Sequence, residues 1–329
     1  RPGGSWYWEA LATATRGATR RFPKVALIVA RAASVTIYDA HDLDAGGTPR
    51  MWMVFNLSGV AWATANILSE VPVGVNALNG RIWVAASAGT YGLLEIDFIN
   101  DRATRRTGSA GYGGRYRGLL ASRNSGQGYA QDLTASQTIV ATACNAVHAR
   151  VLPGAPLNSA GLPIPTVAVA TTAGVSVIHP WGAVYDIATT GGYSRIFLDR
   201  DRVLALRGND ARKLEYGPIP YSDATGPAWR QGLYAVQGAS DGTLQVGPSD
   251  ANTTVVEFAA TDRLLAVGTN VRGIGIVNED RSAPGNGMAA FTGATYATGW
   301  QPGDSRGAWL CDTATGSVTT GGVSVDRSV

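Results

Sequence analysis

Five stretches of the chain repeat one pattern: alternating apolar residues, a tight polar or glycine turn, and a second apolar run. The pattern occurs in VALIVARAASVTIYDA from Val25, LNGRIWVAASAGTYGLLEIDF from Leu78 and PTVAVATTAGVSVIHPWGAVYDI from Pro165. RIFLDRDRVLALRGNDARKLEYG from Arg195 and VEFAATDRLLAVGTNVRGIGIVNED from Val256 repeat it again. Period-two alternation rich in Val, Ile, Thr and Trp, broken by Gly, Asn and Asp, predicts half-buried antiparallel hairpins. Hairpins recurring along one chain predict an all-β, β-propeller-like body with few or no helices. Turns near Ala173, Asn209, Asp241 and Asn270 recur at roughly 30–36 residues, a little short of common propeller repeats. Six blades is the central expectation, with five or seven as alternatives.

Between Phe22 and Phe55 the pattern reads strand, turn, strand, loop, strand. Ala26, Ile28 and Ala30 alternate, Val35 and Ile37 follow beyond the turn, and MWMVF from Met51 is a continuous apolar run suited to a strand buried on both faces. Asn79-Gly80 is a strong two-residue hairpin signal. Asn100 to Gln131 is rich in Gly, Arg, Ser and Tyr with little alternation, and reads as an exposed excursion or a connector between blades. In TIVATACNAVHARVL the spacing of Ile139, Ala143 and Val147 fits a helix, while the β-branched content fits a strand. Pro153, Pro156, Pro163 and Pro165 mark an extended loop that cannot sit in a central strand. Residues 1–22 form an aromatic-rich segment, with Trp6, Tyr7 and Trp8 expected to pack under the domain. The domain is expected over 23–312, and 313–329 as a linker to a downstream module.

Composition narrows the class. Of 329 residues, 45% are hydrophobic and only 16% charged, against roughly 25% charged in typical globular proteins. Ser, Thr, Asn, Gly and Ala must therefore cover much of the surface, as in an extracellular or assembled β protein. The formal charge of +3 is carried by arginine, since Lys24 and Lys213 are the only lysines. No basic run is interleaved with aromatics, which gives no support for nucleic-acid binding. Cys144 and Cys311 have neither metal-ligand spacing nor the look of a disulfide framework and read as unpaired buried thiols. No apolar stretch is long enough to span a bilayer as a helix, so membrane insertion is not expected. The first residue is arginine and GGVSVDRSV breaks off within the pattern, so the sequence reads as a segment of a longer polypeptide.

Candidate chemistry is sparse. His41, His148 and His179 are scattered, without metal or triad spacing, and no G-x-S-x-G elbow occurs. Glu95 and Asp97 fall on one side of a strand, where two carboxylates serve either as the acid and nucleophile of glycan hydrolysis or as a hydrated face. Glu215, Glu257 and Glu279 stand alone. Asp39, Asp42 and Asp44, followed by Gly46, have the oxygen density of a calcium loop without its spacing or closing Glu; Asp-rich turns also arise with no metal. No cofactor is expected. GYGGRYRG and the sequence after it offer Tyr112, Arg115, Tyr116, Arg117 and Tyr129 as ligand or receptor contacts, since aromatic faces and short polar groups suit sugars. Trp300, Pro302, Gly303, Asp304, Arg306 and Trp309 form an aromatic turn expected to close the ring or hand the chain onward.

FPKVALIVA with VTIYD, then MWMVF, LPIPTVAVATTAGVSVI, and NGM with TGWQPGDSRGAWLCDT resemble a family of large phage tail fibre or tail-spike proteins. The chain departs from that family's pattern at Arg31, Gln301, Ser305 and Cys311. The resemblance implies a virion structural protein of a tail appendage, assembled in the host cytoplasm and working outside the cell. It implies other tail proteins and a host-surface glycan or protein as partners, and trimeric homo-oligomers within the virion. Two rival expectations are a polysaccharide-degrading tail-spike enzyme and a purely architectural connector between tail subunits.

Overall fold

The computed structural model describes residues 4–31, 34–56, 72–87, 92–124, 128–208, 210, 213–235, 244–245, 255–261, 264–270, 274–278, 288–293 and 307–312. The chain is all-β and propeller-like: the described strands form five sheets, built mostly from antiparallel neighbours close in sequence. The first sheet holds β1 (Ala26–Arg31), β2 (Ser34–Leu43) and β3 (Pro49–Asn56). The second holds β4 (Pro72–Leu78), β5 (Arg81–Ala86), β6 (Leu93–Asp97), β7 (Arg102–Arg106), β8 (Gly114–Tyr116) and β9 (Tyr129–Ala130). β10 (Cys144–Arg150), β11 (Thr166–Thr171), β12 (Gly174–Ile178) and β13 (Val184–Ala188) build the third. The fourth begins with β14 (Tyr193–Leu198), β15 (Arg202–Arg207) and β16 (Lys213–Pro218); the next strand, β17 (Ala224–Thr225), instead lies beside β13, and β18 (Gly232–Ala235) and β19 (Leu244–Gln245) complete the fourth sheet. The fifth contains β20 (Val255–Ala260), β21 (Leu264–Thr269), β22 (Ile274–Asn278), β23 (Met288–Gly293) and β24 (Gly307–Asp312).

All five alternating stretches form the expected hairpins. β1 pairs antiparallel with β2 from Ala26↔Asp39 to Arg31↔Ser34. Asn79 and Gly80, with φ of 51° and 76°, make the tight turn from β4 to β5; two positive φ values in succession are what a type I′ turn requires. Helix is minimal among the described residues: one four-residue α-turn at Gly226–Trp229 and three 3-10 turns. None is long and apolar enough to cross a membrane.

Two expectations are corrected. The glycine- and arginine-rich stretch from Asn100 is no free excursion, because it contributes β7, β8 and β9 to the second sheet. RATRR alternates after all, with charged and small polar side chains in place of apolar ones. The helical spacing around Val147 is also overruled: β10 pairs with β11 from Cys144↔Thr171 to Arg150↔Thr166, as its β-branched neighbours favour.

The chain divides into two compact units, residues 1–190 with 220–224, and 191–219 with 225–329. In the first, period-two alternation supplies a core on each side of the second sheet. Ile82, Val84, Leu94, Ile96 and Ala103 pack against Val35, Ile37, Trp52, Met53 and Phe55 of the first sheet. Trp83, Ala85 and Leu93 point the other way, onto Val147, Val167 and Val169 of the third. The N-terminal segment belongs to this unit: Trp6 is buried edge-on to Trp52 and Phe98, and its Nε1 donates to Phe98 O at 3.0 Å. The second unit has a core of its own, with Leu204, Leu206 and Leu214 packed on Phe258, Leu265 and Val267. There β24 pairs along its length with β23, its own sheet neighbour. Trp309 lies on that strand; Trp300, Pro302, Gly303, Asp304 and Arg306 and residues 313–329 are outside the described residues.

Candidate functional site

Within the first unit, the faces of the second and third sheets separate beyond their shared core to leave a cleft of about 350 Å³. Strand geometry decides its lining. Side chains at i and i+2 share a face, so Arg102, Thr104 and Arg106 of β7 all enter the cleft, while Ala103 turns into the opposite core. Arg81 and Trp83 of β5, Glu95 of β6 and Arg115 of β8 extend the same face. Val167, Ile178 and the turn His179–Gly182 form part of the far wall.

Three of the four arginines are spoken for. Arg81 reaches Glu95 Oε1 and Asp97 Oδ2, both at 3.1 Å. Arg102 Nε lies 3.9 Å from Asp97 Oδ2, and Arg115 Nη1 pairs with Asp132 Oδ2 at 2.7 Å. Arg106 is different. It is 7% exposed, and of its three nitrogens only Nη1 has a protein partner, Gln137 O at 2.8 Å. Among the described residues no carboxylate comes within ion-pair distance. Burial pushes its guanidinium below its usual range, the more distant Glu95 opposing this. Arg81 Nε and Asn158 Nδ2 are further buried donors in this wall without acceptors. The cleft is rich in N–H groups and poor in matching oxygens.

An aromatic platform stands at the same cleft. The β12–β13 turn is closed by Gly182 N donating to His179 O and His179 N to Ala183 O, both at 2.9 Å. It holds the Trp181 ring stacked on His179, with centroids 4.5 Å apart, and Tyr221 lies against the same imidazole at 4.8 Å. Trp181 is 60% and Tyr221 64% exposed, whereas His179 is buried. Burial lowers the His179 pKa, and its Nε2 sits 2.8 Å from Pro220 O, an atom that only accepts, so that nitrogen carries the proton. The Trp181 and Tyr221 rings lie nearly parallel, with centroids 6.3 Å apart.

The residues singled out from sequence are dispersed. Tyr116 is buried in the core, where its hydroxyl donates to Ser122 O at 2.6 Å. Tyr129 packs edge-on against it with Arg105 4.3 Å above its ring, and burial raises its phenol pKa. Tyr116 is thereby withdrawn from the surface, and Tyr129 is half-buried against it. Tyr112 and Arg117 are exposed, and Arg115 alone of the set lines the cleft. Glu95 and Asp97 are no hydrated face: Asp97 is 1% exposed and both carboxylates are gripped by Arg81. Asp39 Oδ1 accepts from His41 N, Asp44 Oδ1 accepts from Gly46 N and Thr48 N, and Asp42 pairs with Arg50 at 3.7 Å. They serve their own turn, and among the described residues no His, Cys, Asp and Glu group is placed to hold a metal ion. Cys144 is a buried thiol whose Sγ lies 3.6 Å from Thr142 O. Sequence reasoning missed Arg81, Arg102, Arg106, Trp181 and Tyr221. The alternation of RATRR was the one trace of Arg102 and Arg106, and it lacked the apolar face that makes a strand legible.

No protein-family model matches the chain, and no curated protein matches it. Among solved structures it is similar to the computationally designed protein Ika8, at 10% identity and a TM-score of 0.34 over 78% of this chain and 82% of that one. It is also similar to Hsv2p of Kluyveromyces lactis (11% identity, TM-score 0.33, 79% and 66% covered). A third is BBS1N in complex with ARL6DN (12%, 0.36, 80% and 67%).

Proposed function

We propose that this chain is a binding and structural segment of a phage tail appendage that takes part in recognising the host-cell surface. The observation that carries the reading is the Trp181–His179–Tyr221 platform beside a polar cleft. Flat aromatic faces next to convergent hydrogen-bonding groups suit a saccharide, whose C–H faces stack while its hydroxyls bond. The resemblance of strand motifs across the chain to phage tail fibres supplies the setting: a virion protein with other tail proteins and a host-surface glycan as partners. No catalytic step is assigned, because Glu95 and Asp97, the pair that hydrolysis would use, are both engaged by Arg81.

The test is adsorption of the purified chain to host cells. Trp181→Ala combined with Tyr221→Ala is expected to cut cell binding about tenfold or more, the loss of one or two stacking contacts of about 0.5–1.5 kcal/mol each together with their buried area. Both rings are exposed, so the melting temperature is expected to stay near that of the unsubstituted chain. Undiminished adsorption by a folded double variant would refute the reading.

A further inference from the structure

Resting on that reading and deepening it, we propose that the cleft between the second and third sheets is a receptor for an acidic saccharide, with Arg106 receiving a sugar carboxylate and Trp181 receiving the ring face. Burying a guanidinium without an anion is costly, and a chain that needed only packing at this position would be served better by an apolar residue. Arg106 nonetheless lies in the cleft wall with Nε and Nη2 lacking protein partners. A carboxylate suits this edge because a guanidinium binds it through two parallel N–H···O bonds. Nearby Arg81 Nε and Asn158 Nδ2 keep the wall short of acceptors, so a ligand bearing many oxygens fits where a donor-rich one does not.

Charge selects the kind of anion. Arg81, Arg102, Arg106 and Arg115 line the cleft, and Glu95, Asp97 and Asp132 pair with or lie beside three of them. One positive charge is left over, at Arg106, which matches a monoanionic sugar acid better than a phosphate dianion. The volume of about 350 Å³ lies at the small end of ligand pockets and suits a sugar unit rather than a nucleic-acid strand. Trp181 supplies what a bare anion site lacks: an exposed ring at the same cleft, fixed by its stack on His179.

The experiment titrates the whole chain calorimetrically with a galacturonic acid trisaccharide, its neutral galactose counterpart, acetate and inorganic phosphate. The acidic trisaccharide is expected to bind, more weakly as salt is raised, and the neutral one to bind about thirtyfold or more weakly. Arg106→Met is expected to lose the acidic trisaccharide by a similar factor, with Arg106→Lys recovering part of it because charge returns without the fork. Trp181→Ala is expected to weaken the trisaccharide while leaving acetate unchanged. Equal binding of neutral and acidic sugars, unaltered binding in a folded Arg106→Met chain, or preference for phosphate would each overturn the proposal. The two readings fail separately. Cell adsorption lost in Trp181→Ala but normal in Arg106→Met would sink the acidic-ligand proposal and leave surface recognition standing. Trisaccharide binding through Arg106 with adsorption normal in both variants would do the reverse.

Discussion

Arg123 and Arg106 are both buried in the first unit, and their surroundings separate a structural arginine from one held ready for a ligand. Arg123 is 2% exposed and uses every nitrogen: Nε donates to Val54 O at 2.8 Å, Nη2 to Thr15 O at 2.9 Å, and Nη1 to Leu120 O at 3.0 Å and to the Glu9 carboxylate. Its plane lies over Phe55 at 5.3 Å. It ties the N-terminal segment, the end of β3 and the turn after β8 into one body. Arg106 is almost as buried but has one carbonyl and no carboxylate. Burial alone does not mark a site. What distinguishes the cleft is a buried charge whose hydrogen-bonding capacity the fold leaves unspent.

The largest consequence falls on Arg123. Arg123→Ala removes the closest cationic partner of the Glu9 carboxylate, leaving it only Arg16 at 3.6 Å, and takes one of two donors from each of three carbonyls. Removing one partner of such a buried pair costs about 3–5 kcal/mol, on the order of 10 °C in melting temperature for a unit of this size. Calorimetric melting of the chain would show it as a lowered transition. A shift below about 2 °C would mean that the N-terminal segment contributes little to the unit's stability, and the contrast with Arg106 would collapse.

Arg106→Met is expected to do far less to the fold. Its side chain gives up one bond to Gln137 O and sheds the penalty of an unpaired buried charge, so stability should stay within about 1 kcal/mol of the parent chain. The same calorimeter checks this. A loss approaching that of Arg123→Ala would show that Arg106 holds the sheets together, and the cleft would lose its claim as a receptor.

How far the sequence foretold this differs between strands and site. Hairpins with apolar alternation were legible because one buried face forces period two, as at Ile82, Val84, Leu94 and Ile96. Asn79-Gly80 was legible because few dipeptides tolerate two positive φ values in succession. β7 was not, because Arg102, Thr104 and Arg106 alternate against only Ala103 and Arg105, and a polar strand facing a cleft has no hydrophobic signature. The tyrosines misled for a related reason: composition alone cannot say whether a glycine-rich stretch lies on the surface, and pairing of β8 with β9 buries Tyr116. Trp181 was visible as a turn residue in HPWG, but its place in a platform depends on Tyr221, forty residues later in the chain, packing against the same imidazole with its ring 6.3 Å from that of Trp181. Contacts of that range leave no local mark.

The smallest effect extends the contrast to a carboxylate. Asp186 on β13 accepts a hydrogen bond from Ser176 Oγ at 2.6 Å, its backbone N–H donates to Asp223 Oδ1 at 2.9 Å, and among the described residues no cation pairs with it. Burial, with Asp223 adding repulsion, raises its pKa to about 6, against about 3.9 in an unfolded chain. Between those values the folded chain keeps a proton that the unfolded chain has released, so Asp186 favours folding below pH of about 4 and loses that contribution as pH rises to about 6. Asp186→Asn keeps the Ser176 acceptor and removes the titration. Discounted for partial exposure, it should stabilise the chain by about 1 kcal/mol or less at pH 8, with the advantage shrinking toward pH 4. Melting the two chains side by side across that range decides the matter: an advantage that is constant, or larger in acid, would mean that Asp186 is already compensated in the fold as Arg123 is.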